Sequence, residues 1–325
     1  MNTQIDLWLF VSGRMRRGQA VALLVVAEST GSSPGRQGFK MAVAADELFG
    51  SIGGGVMEVK MVEQARALLS SAGPGKDSNS ASAVVRQVHR KGDKNSSGMI
   101  CSGRQTVIFR LLAAEDAGTV DNIIESLENK RPDILAITAG EFSVGPNKGD
   151  FADFTFEARS DTGFRFTERL GPKNELFIVG GGHCALALSE LMSKMDFYIR
   201  LFDDRPELNT VSKNTFAHEK HLIESYDRIA EMIPGGKNNY VVVMTVGFAS
   251  DEVVIRRLMD KELKYFGVLG SRAKMAQLMK NLKSEGCAKA KLDRIHTPVG
   301  LPINSQTPEE IAVSIAAEII SVKNA

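Results

Sequence analysis

Residues 175–205 read ELFIVGGGHCALALSELMSKMDFYIRLFDDR and decide the fold of the C-terminal half of the chain. An apolar run ends at three glycines, a segment with helical spacing follows, and a second apolar run ends at Asp203. This order of strand, loop, helix and strand is typical of a doubly wound α/β sheet. We therefore predict a Rossmann-like parallel sheet, with the glycine loop at the carboxyl edge of its first strand.

The glycine loop fits the dinucleotide pattern as Gly180-x-Gly182-x-x-Ala185. In that pattern the first glycine permits a tight turn, and the second lets the backbone approach a pyrophosphate. Asp203 lies 23 residues after Gly180, where a carboxylate can accept hydrogen bonds from ribose hydroxyls. His183 replaces a small residue and either faces a ligand or caps the helix. The loop predicts a nucleotide site, and a Rossmann-like loop that binds nothing is the alternative.

The rest of the C-terminal half continues the alternation of apolar runs and helical segments, which indicates parallel strands with crossover helices. The stretch LGSRAKM at 269–275 places Ser271 as a candidate N-cap, with Arg272 and Lys274 in the first turn of a helix. Basic residues there oppose the helix dipole, so the pattern indicates either a bound anion or a solvated surface pair. The turn signal GPKN at 171–174 divides the chain into domains 1–170 and 171–325.

The pattern of apolar and polar residues in the N-terminal half predicts an α/β domain with a mixed sheet. Its expected elements are helices over 4–17, 56–69 and 116–129 and strands near 20–28, 83–89, 105–112, 133–139 and 151–156. A further strand is expected after the Ser/Gly/Pro loop in STGSSPGRQGFKMAVA, followed by a short hairpin around ADELFGSIGGG. A second triple glycine, Gly53 to Gly55 with Glu58 behind it, stands in SIGGGVMEVK at 51–60. Its backbone N–H groups, Arg36 and the thiol of Cys101 are candidate contacts for an anion, although a buried cysteine is usually only a small apolar side chain.

Composition limits the classes of function. The chain has 325 residues, 43% apolar and 24% charged, which is ordinary for a globular protein of two domains. Forty basic and 39 acidic side chains give no electrostatic case for binding nucleic acid or an anionic membrane. The N-terminus lacks a signal-peptide pattern, the longest apolar run is too short to span a bilayer, and three cysteines without CxxC spacing predict no disulfide framework. We expect a cytoplasmic protein.

Seven stretches, in order along the chain, resemble the XdhC/CoxI family of accessory factors for xanthine dehydrogenase-type molybdenum enzymes. They are TGSSPGRQGFKM, GSIGGGVMEVK, MICSG, VGGGHCALAL, LFDDRPE, YFGVLGSRAK and RIHTPVGLPINSQTPEEIAVSIAAEII. The resemblance implies a factor that binds molybdenum cofactor (molybdopterin), receives it in sulfurated form and delivers it to a molybdenum hydroxylase apo-enzyme. It also implies a cysteine desulfurase as a partner, a homodimer, and a nucleotide such as NAD(P) as a further ligand.

Carried over by position, the resemblance makes the loop at Gly53, Gly54, Gly55 and Glu58 a family glycine loop and Cys101 the family thiol. It makes Gly180, Gly182 and His183 the Rossmann loop. Three positions depart from the family pattern: Val56 replaces a cysteine, CSG stands for a C-G-G element, and TVGFASD keeps Thr245 and Asp251 but has neither histidine.

Two other classes of function remain open on the sequence. One is an NAD(P)-dependent oxidoreductase, although none of the four tyrosines begins a Tyr-x-x-x-Lys pair. The other is a scaffold that keeps the fold and a partner surface but has lost the ligand.

Overall fold

The computed structural model describes residues 3–71, 83–88, 103–149, 152–161, 163–195 and 197–325. The chain forms two compact units, Asn2–Gly171 and Pro172–Ala325. None of the helices in these described ranges has the length and apolar character needed to cross a membrane.

The N-terminal unit contains two antiparallel sheets. Its helices are α1 (Thr3–Met15), α2 (Gly55–Ser71) and α3 (Ala117–Glu128), and its strands are β1 (Val21–Thr30), β2 (Lys40–Val43), β3 (Leu48–Gly50), β4 (Ala83–Val88), β5 (Arg104–Leu112), β6 (Ile134–Thr138), β7 (Phe142–Gly145), β8 (Phe154–Ala158) and β9 (Phe164–Arg169). The first sheet has the order β3-β2-β1-β5-β4 and the second has the order β7-β6-β9-β8.

Strand β1 is apolar throughout because both of its faces are covered. Its alternate residues Leu23 and Val25 belong to a core with Trp8 of α1, whereas Leu24 and Val26 belong to a second core with side chains of α2. Side chains of a strand point alternately to opposite faces, so a strand between two layers requires an unbroken apolar run. This explains the AVALLVVA stretch without any membrane function.

The C-terminal unit is a five-stranded parallel sheet with helices between its strands. Its elements are β10 (Asn174–Val179), α4 (His183–Met192), β11 (Phe197–Asp203), α5 (Asn209–Lys213), β12 (Glu219–Leu222), α6 (Ile229–Met232), β13 (Gly236–Val243), α7 (Phe248–Leu258), β14 (Leu263–Val268), α8 (Arg272–Ser284), α9 (Lys289–Leu292) and α10 (Pro308–Lys323). The order β12-β11-β10-β13-β14 reverses between β10 and β13, where ligands of such sheets bind.

The predicted fold class is confirmed: a Rossmann-like parallel sheet follows an N-terminal α/β unit. Within the N-terminal unit the pairing is antiparallel rather than mixed, because each strand pairs with neighbours that run in the opposite direction. Strands β7, β9 and β12 were not predicted. Strands β7 and β12 have only four residues each, too few to give a clear alternation of apolar and polar side chains. Strand β9 has only two apolar residues, and its polar residues Thr167 and Glu168 are buried.

Candidate functional site

The first glycine of the C-terminal loop allows two loops to touch. Gly180 has φ +105°, and a Cβ atom built on it would lie 2.3 Å from the carbonyl oxygen of Met244, just beyond β13. A side chain at this position would therefore overlap backbone, in a conformation that L residues rarely adopt. The loops after β10 and β13 meet at the point where the strand order reverses, as the fingerprint predicts.

Gly182 provides open space at the start of helix α4. It is the N-cap residue, with φ −68°, and a Cβ atom added there would meet no atom within 4 Å. The N–H groups of the first helical turn have no carbonyl partner within the helix. His183 is the first residue of α4 and is exposed; the N-cap position belongs to Gly182, so the imidazole does not cap the helix. This end of the loop can receive an anion.

Asp203, the predicted ribose acceptor, is buried and fully occupied. Its Oδ1 accepts from the backbone N and Nε of Arg205, both at 2.9 Å, and its Oδ2 accepts from Gly181 N at 2.6 Å and Arg205 Nη2 at 2.7 Å. Burial raises the pKa of Asp203, but the hydrogen bonds from Arg205 and Gly181 outweigh it, so the net shift is downward. A carboxylate has about four lone-pair positions. All four are filled by the chain itself, which leaves none for a ribose.

The two family positions kept in TVGFASD form a hydrogen-bonded pair. Thr245 Oγ1 donates to Oδ1 of Asp251 at 2.5 Å, and Asp251 is fully buried at the start of α7. Lys274 of α8 completes the group, with its Nζ 2.6 Å from Oδ2 of Asp251. The sequence placed Lys274 beside a bound anion or in solvent, whereas its partner is an internal carboxylate. The contact joins helices that follow different strands, so sequence spacing carried no signal for it.

The cap of helix α8 agrees with the prediction. Ser271 Oγ accepts a hydrogen bond from Lys274 N at 3.3 Å, and Arg272 is exposed in the first turn. An exposed Arg272 corresponds to the solvated alternative.

The N-terminal glycine loop already contains an anion, the carboxylate of Glu58. Oε2 of Glu58 accepts from Ser51 Oγ at 2.6 Å and from the backbone N of Ile52 and Gly54, both at 2.9 Å. Burial raises the pKa of Glu58, while the hydrogen bonds from Ser51 and the loop backbone lower it by more, and the net result is a depressed pKa. The donors that the sequence assigned to a ligand are thus used inside the chain.

Three loops of the N-terminal unit pack closely through glycines. A Cβ atom on Gly53 would lie 2.4 Å from Gly35 N, and one on Gly103 would lie 2.4 Å from Ser33 N. Gln105 links the loops, because its Nε2 donates to the carbonyl of Ile52 at 2.8 Å and its Oε1 accepts from Ser33 Oγ at 2.9 Å. Gln105 was not among the residues predicted from the sequence to form a site.

Two further residues of the N-terminal unit were predicted to contact an anion, and one of them lies within the described residues. Arg36 lies in the same group of loops and is exposed. Cys101 lies outside the described residues.

The depressed pKa of Glu58 gives a prediction for pH dependence. Replacing Glu58 by glutamine should destabilise the N-terminal unit by about 1–2 kcal/mol at pH 7, because hydrogen bonds to a charged acceptor become neutral ones in a partly exposed site. A carboxyl group with a depressed folded pKa stabilises the protein above its unfolded pKa of about 4.3, and this stabilisation is lost as the pH falls through the folded value. The difference between wild type and variant should therefore shrink below about pH 4.

The measurement is urea unfolding at several pH values, followed by the fluorescence of Trp8. This tryptophan is the single one in the chain and is 1% exposed in the N-terminal core. Glu63→Gln, at an exposed position of the same helix, is the matched control. A difference between wild type and Glu58→Gln that stays constant from pH 7 to pH 3 would contradict the assignment.

Comparison with known protein families gives two matches. Residues 176–319 match the XdhC Rossmann domain, and residues 14–77 match the XdhC and CoxI family. The matched ranges contain both glycine loops.

Comparison with individual proteins gives relatives of the same kind. The chain is 25% identical over 306 residues to the uncharacterised protein YqeB of Escherichia coli K12, and 30% identical over 159 residues to a probable xanthine dehydrogenase subunit of Bacillus subtilis. These alignments cover 93% and 49% of the chain but only 43% and 46% of the relatives, so the chain spans less than half their length.

A crystal structure described as a xanthine dehydrogenase from Bacillus halodurans has the same fold. It aligns with 100% of this chain and 96% of its own, with a TM-score of 0.74 and 23% identity.

Proposed function

Since the chain belongs to the XdhC and CoxI family, we propose that it is an accessory factor for a xanthine dehydrogenase-type molybdenum enzyme. In this proposal it binds molybdenum cofactor and delivers it to the apo-enzyme in the cytoplasm. The observation that carries the proposal is the pair of family matches, which fall on both units of one chain and include both glycine loops. The similarity to a probable xanthine dehydrogenase subunit supports the same class of partner.

The phosphate of the cofactor fits the C-terminal loop. Space lies over Gly182, and the first turn of α4 presents N–H groups without helical partners. Gly182 and the backbone of His183 are the groups that would hold this phosphate. The cofactor, when bound, supplies the redox-active molybdenum centre of the partner enzyme, and the residues of this chain only hold and release it.

The N-terminal loop does not fit a second phosphate. Glu58 accepts hydrogen bonds from the loop, so an incoming anion would meet a carboxylate instead of open donors. The negative charge of the Glu58 carboxylate would repel a phosphate bound at the same loop. We therefore assign the N-terminal loop a structural role and place the anion contact of the proposed function at Gly182.

Delivery requires contacts that can be exchanged one at a time. Backbone hydrogen bonds to a phosphate are individually modest, each about 0.5–3 kcal/mol net, so a partner can replace them stepwise. A cysteine desulfurase as sulfur donor and a homodimer are further parts of the proposal that rest on the family resemblance alone.

An NAD(P)-dependent oxidoreductase is less well supported. An NAD-dependent enzyme of this fold uses a carboxylate to bind the ribose, and all four positions of Asp203 are filled by Gly181 and Arg205. This observation disfavours NAD as the ligand of the loop.

Gly182→Val should abolish binding of the cofactor and leave the fold intact. Its side chain would enter the empty space over the loop, where it prevents close approach of a phosphate but meets no protein atom within 4 Å at Cβ. We would purify the protein from a host that makes molybdopterin and measure the fluorescence of the oxidised pterin released on denaturation. The expected result is pterin with the wild type and at least a tenfold loss with the variant.

Gly140→Val is the matched control, because Gly140 also has no atom within 4 Å of an added Cβ and lies in an exposed turn. It should retain pterin. Wild-type protein without pterin would refute cofactor binding and favour the scaffold that has lost its ligand, and equal pterin in wild type and Gly182→Val would move the site away from this loop.

A further inference from the structure

The last strand of the parallel sheet is covered along only part of its outer edge. Residues 295–299 run beside β14: His296 N donates to Phe266 O at 2.8 Å, Val268 N to His296 O at 2.9 Å, and Val299 N to Val268 O at 3.0 Å. These bonds reach residues 266–268, the second half of the strand. A cavity of about 220 Å³ lies beside the first half, between β14 and the chain that leads out of α9.

The walls of this cavity are strongly basic. The lining residues are Met259, Lys261, Leu263, Lys264, Tyr265, Phe266, Lys291, Arg294 and His296. Four of these residues carry a permanent positive charge, and no residue in this lining carries a carboxylate. Charges of one sign in a concave surface reinforce one another and attract counter-ions.

Of the four cations, only Lys291 has a carboxylate partner within the described ranges. Lys291 forms an ion pair of 2.5 Å with Asp260, and Arg294 donates through Nη2 to the carbonyl of Lys261 at 3.1 Å. Within the described ranges, the ammonium groups of Lys261 and Lys264 have neither an ion pair nor a hydrogen bond, and the carbonyl that Arg294 contacts carries no formal charge. The cavity thus keeps an excess of positive charge.

Two nearby carboxylates are engaged elsewhere, and a third, Glu262 between Lys261 and Leu263, is exposed and is not part of the cavity lining. Glu318, behind the cavity, accepts from Tyr265 Oη at 2.5 Å and from Gly300 N at 2.8 Å, and its other oxygen lies 3.2 Å from Nδ1 of His296. Asp293 forms an ion pair of 2.5 Å with Lys289. Glu318 therefore holds the imidazole of His296 in the wall and does not enter the cavity lining.

We propose that this cavity binds a compact polyanion of the phosphate class, such as pyrophosphate, between Lys261, Lys264 and Arg294. Its volume is below the range of about 300–1,000 Å³ that drug-sized ligands and cofactors occupy, so it is too small to enclose a whole dinucleotide. Lysine serves phosphates as a mobile point charge, and the planar arginine fork can donate two parallel hydrogen bonds. The cavity lies beside β14, whereas the phosphate position of the proposed function is at the carboxyl end of β10, so the two sites are separate.

The test is titration calorimetry of the full chain with inorganic pyrophosphate at low ionic strength, where surface charges are little screened. We expect saturable binding, weakened about tenfold or more by Lys264→Gln and by Arg294→Gln. Lys280→Gln is the matched control, because it removes the same charge from an exposed position of α8. It should change the affinity by less than about twofold.

Gly182→Val separates this site from the glycine loop and should leave pyrophosphate binding unchanged. Loss of binding in Gly182→Val with normal binding in Lys264→Gln would place the anion at the loop and overturn the proposal. Absence of saturable binding by the wild type at millimolar pyrophosphate, or equal weakening by Lys264→Gln and Lys280→Gln, would overturn it as well. Thermal melting of each variant establishes that it is folded.

Discussion

Replacing Gly53 by alanine should destabilise the N-terminal unit by about 2–5 kcal/mol. Two costs add at this position. Gly53 has φ +126°, where an L side chain is strained, and its added Cβ would lie 2.4 Å from Gly35 N and 2.8 Å from the carbonyl carbon of Pro34. Both contacts are with backbone, so relief requires that a loop move and that the bond between Gln105 and the Ile52 carbonyl be disturbed.

Gly54 provides the matched control one residue further along. It has φ +76°, but a Cβ atom there would meet no atom within 4 Å, so Gly54→Ala carries only the cost of the backbone conformation, about 1–2 kcal/mol. Urea unfolding followed by Trp8 fluorescence compares the two variants in the unit that contains them. Equal midpoints for Gly53→Ala and Gly54→Ala would show that the three loops do not pack as described.

The comparison between sequence and structure is clearest for Asp203. Strand periodicity and spacing placed it at the carboxyl end of the second strand of the Rossmann unit, and the structure has it there as the last residue of β11. The spacing could not show that Arg205, two residues later, turns back and takes both oxygens. Position along an element follows from local pattern, whereas the partners of a side chain depend on how the loops fold over it.

The two glycine loops show the same limit. The sequence predicted backbone donors at both, because three glycines after an apolar run are typical of anion-binding turns. No protein atom lies within 4 Å of a Cβ atom built on Gly182, whereas the backbone N–H of Gly54 already donates a hydrogen bond to Glu58. Both loops need glycine for close approach, so glycine alone cannot distinguish a ligand loop from a packing loop.

Strand and helix bounds were predictable where burial is two-sided or the caps are strong. Helix α10 begins after Thr307, whose Oγ1 accepts from Glu310 N at 3.3 Å while Glu310 Oε2 accepts from Thr307 N at 3.2 Å. This capping box can be recognised in the letters TPEE. The cavity beside β14 could not be predicted, because it results from where residues 295–299 stop pairing with the strand.

Glu318→Ala should destabilise the C-terminal unit by about 3–5 kcal/mol, because one carboxylate fixes three separate segments. Glu318 of α10 accepts from the hydroxyl of Tyr265 in β14 and from Gly300 N, and it holds His296 between them. Tyr265 is 1% exposed, so loss of the acceptor leaves a buried hydroxyl without a partner. Burial, followed by the hydrogen bond and charge of Glu318, raises the pKa of Tyr265, which keeps this hydroxyl a donor.

The measurement is urea unfolding followed by the near-ultraviolet circular dichroism of tyrosine, because all four tyrosines of the chain lie in the C-terminal unit. Glu309→Ala, at an exposed position near the start of the same helix, should cost no more than about 0.5–1 kcal/mol. Burial raises the pKa of Glu318, but the hydrogen bonds from His296, Tyr265 and Gly300 lower it by more, so the net shift of this pKa is downward. The advantage of wild type over Glu318→Gln should then be present at neutral pH and decline as the pH falls below about 4. If Glu318→Ala unfolds at the same urea concentration as Glu309→Ala, the three segments are held together by packing, and the carboxylate contributes little.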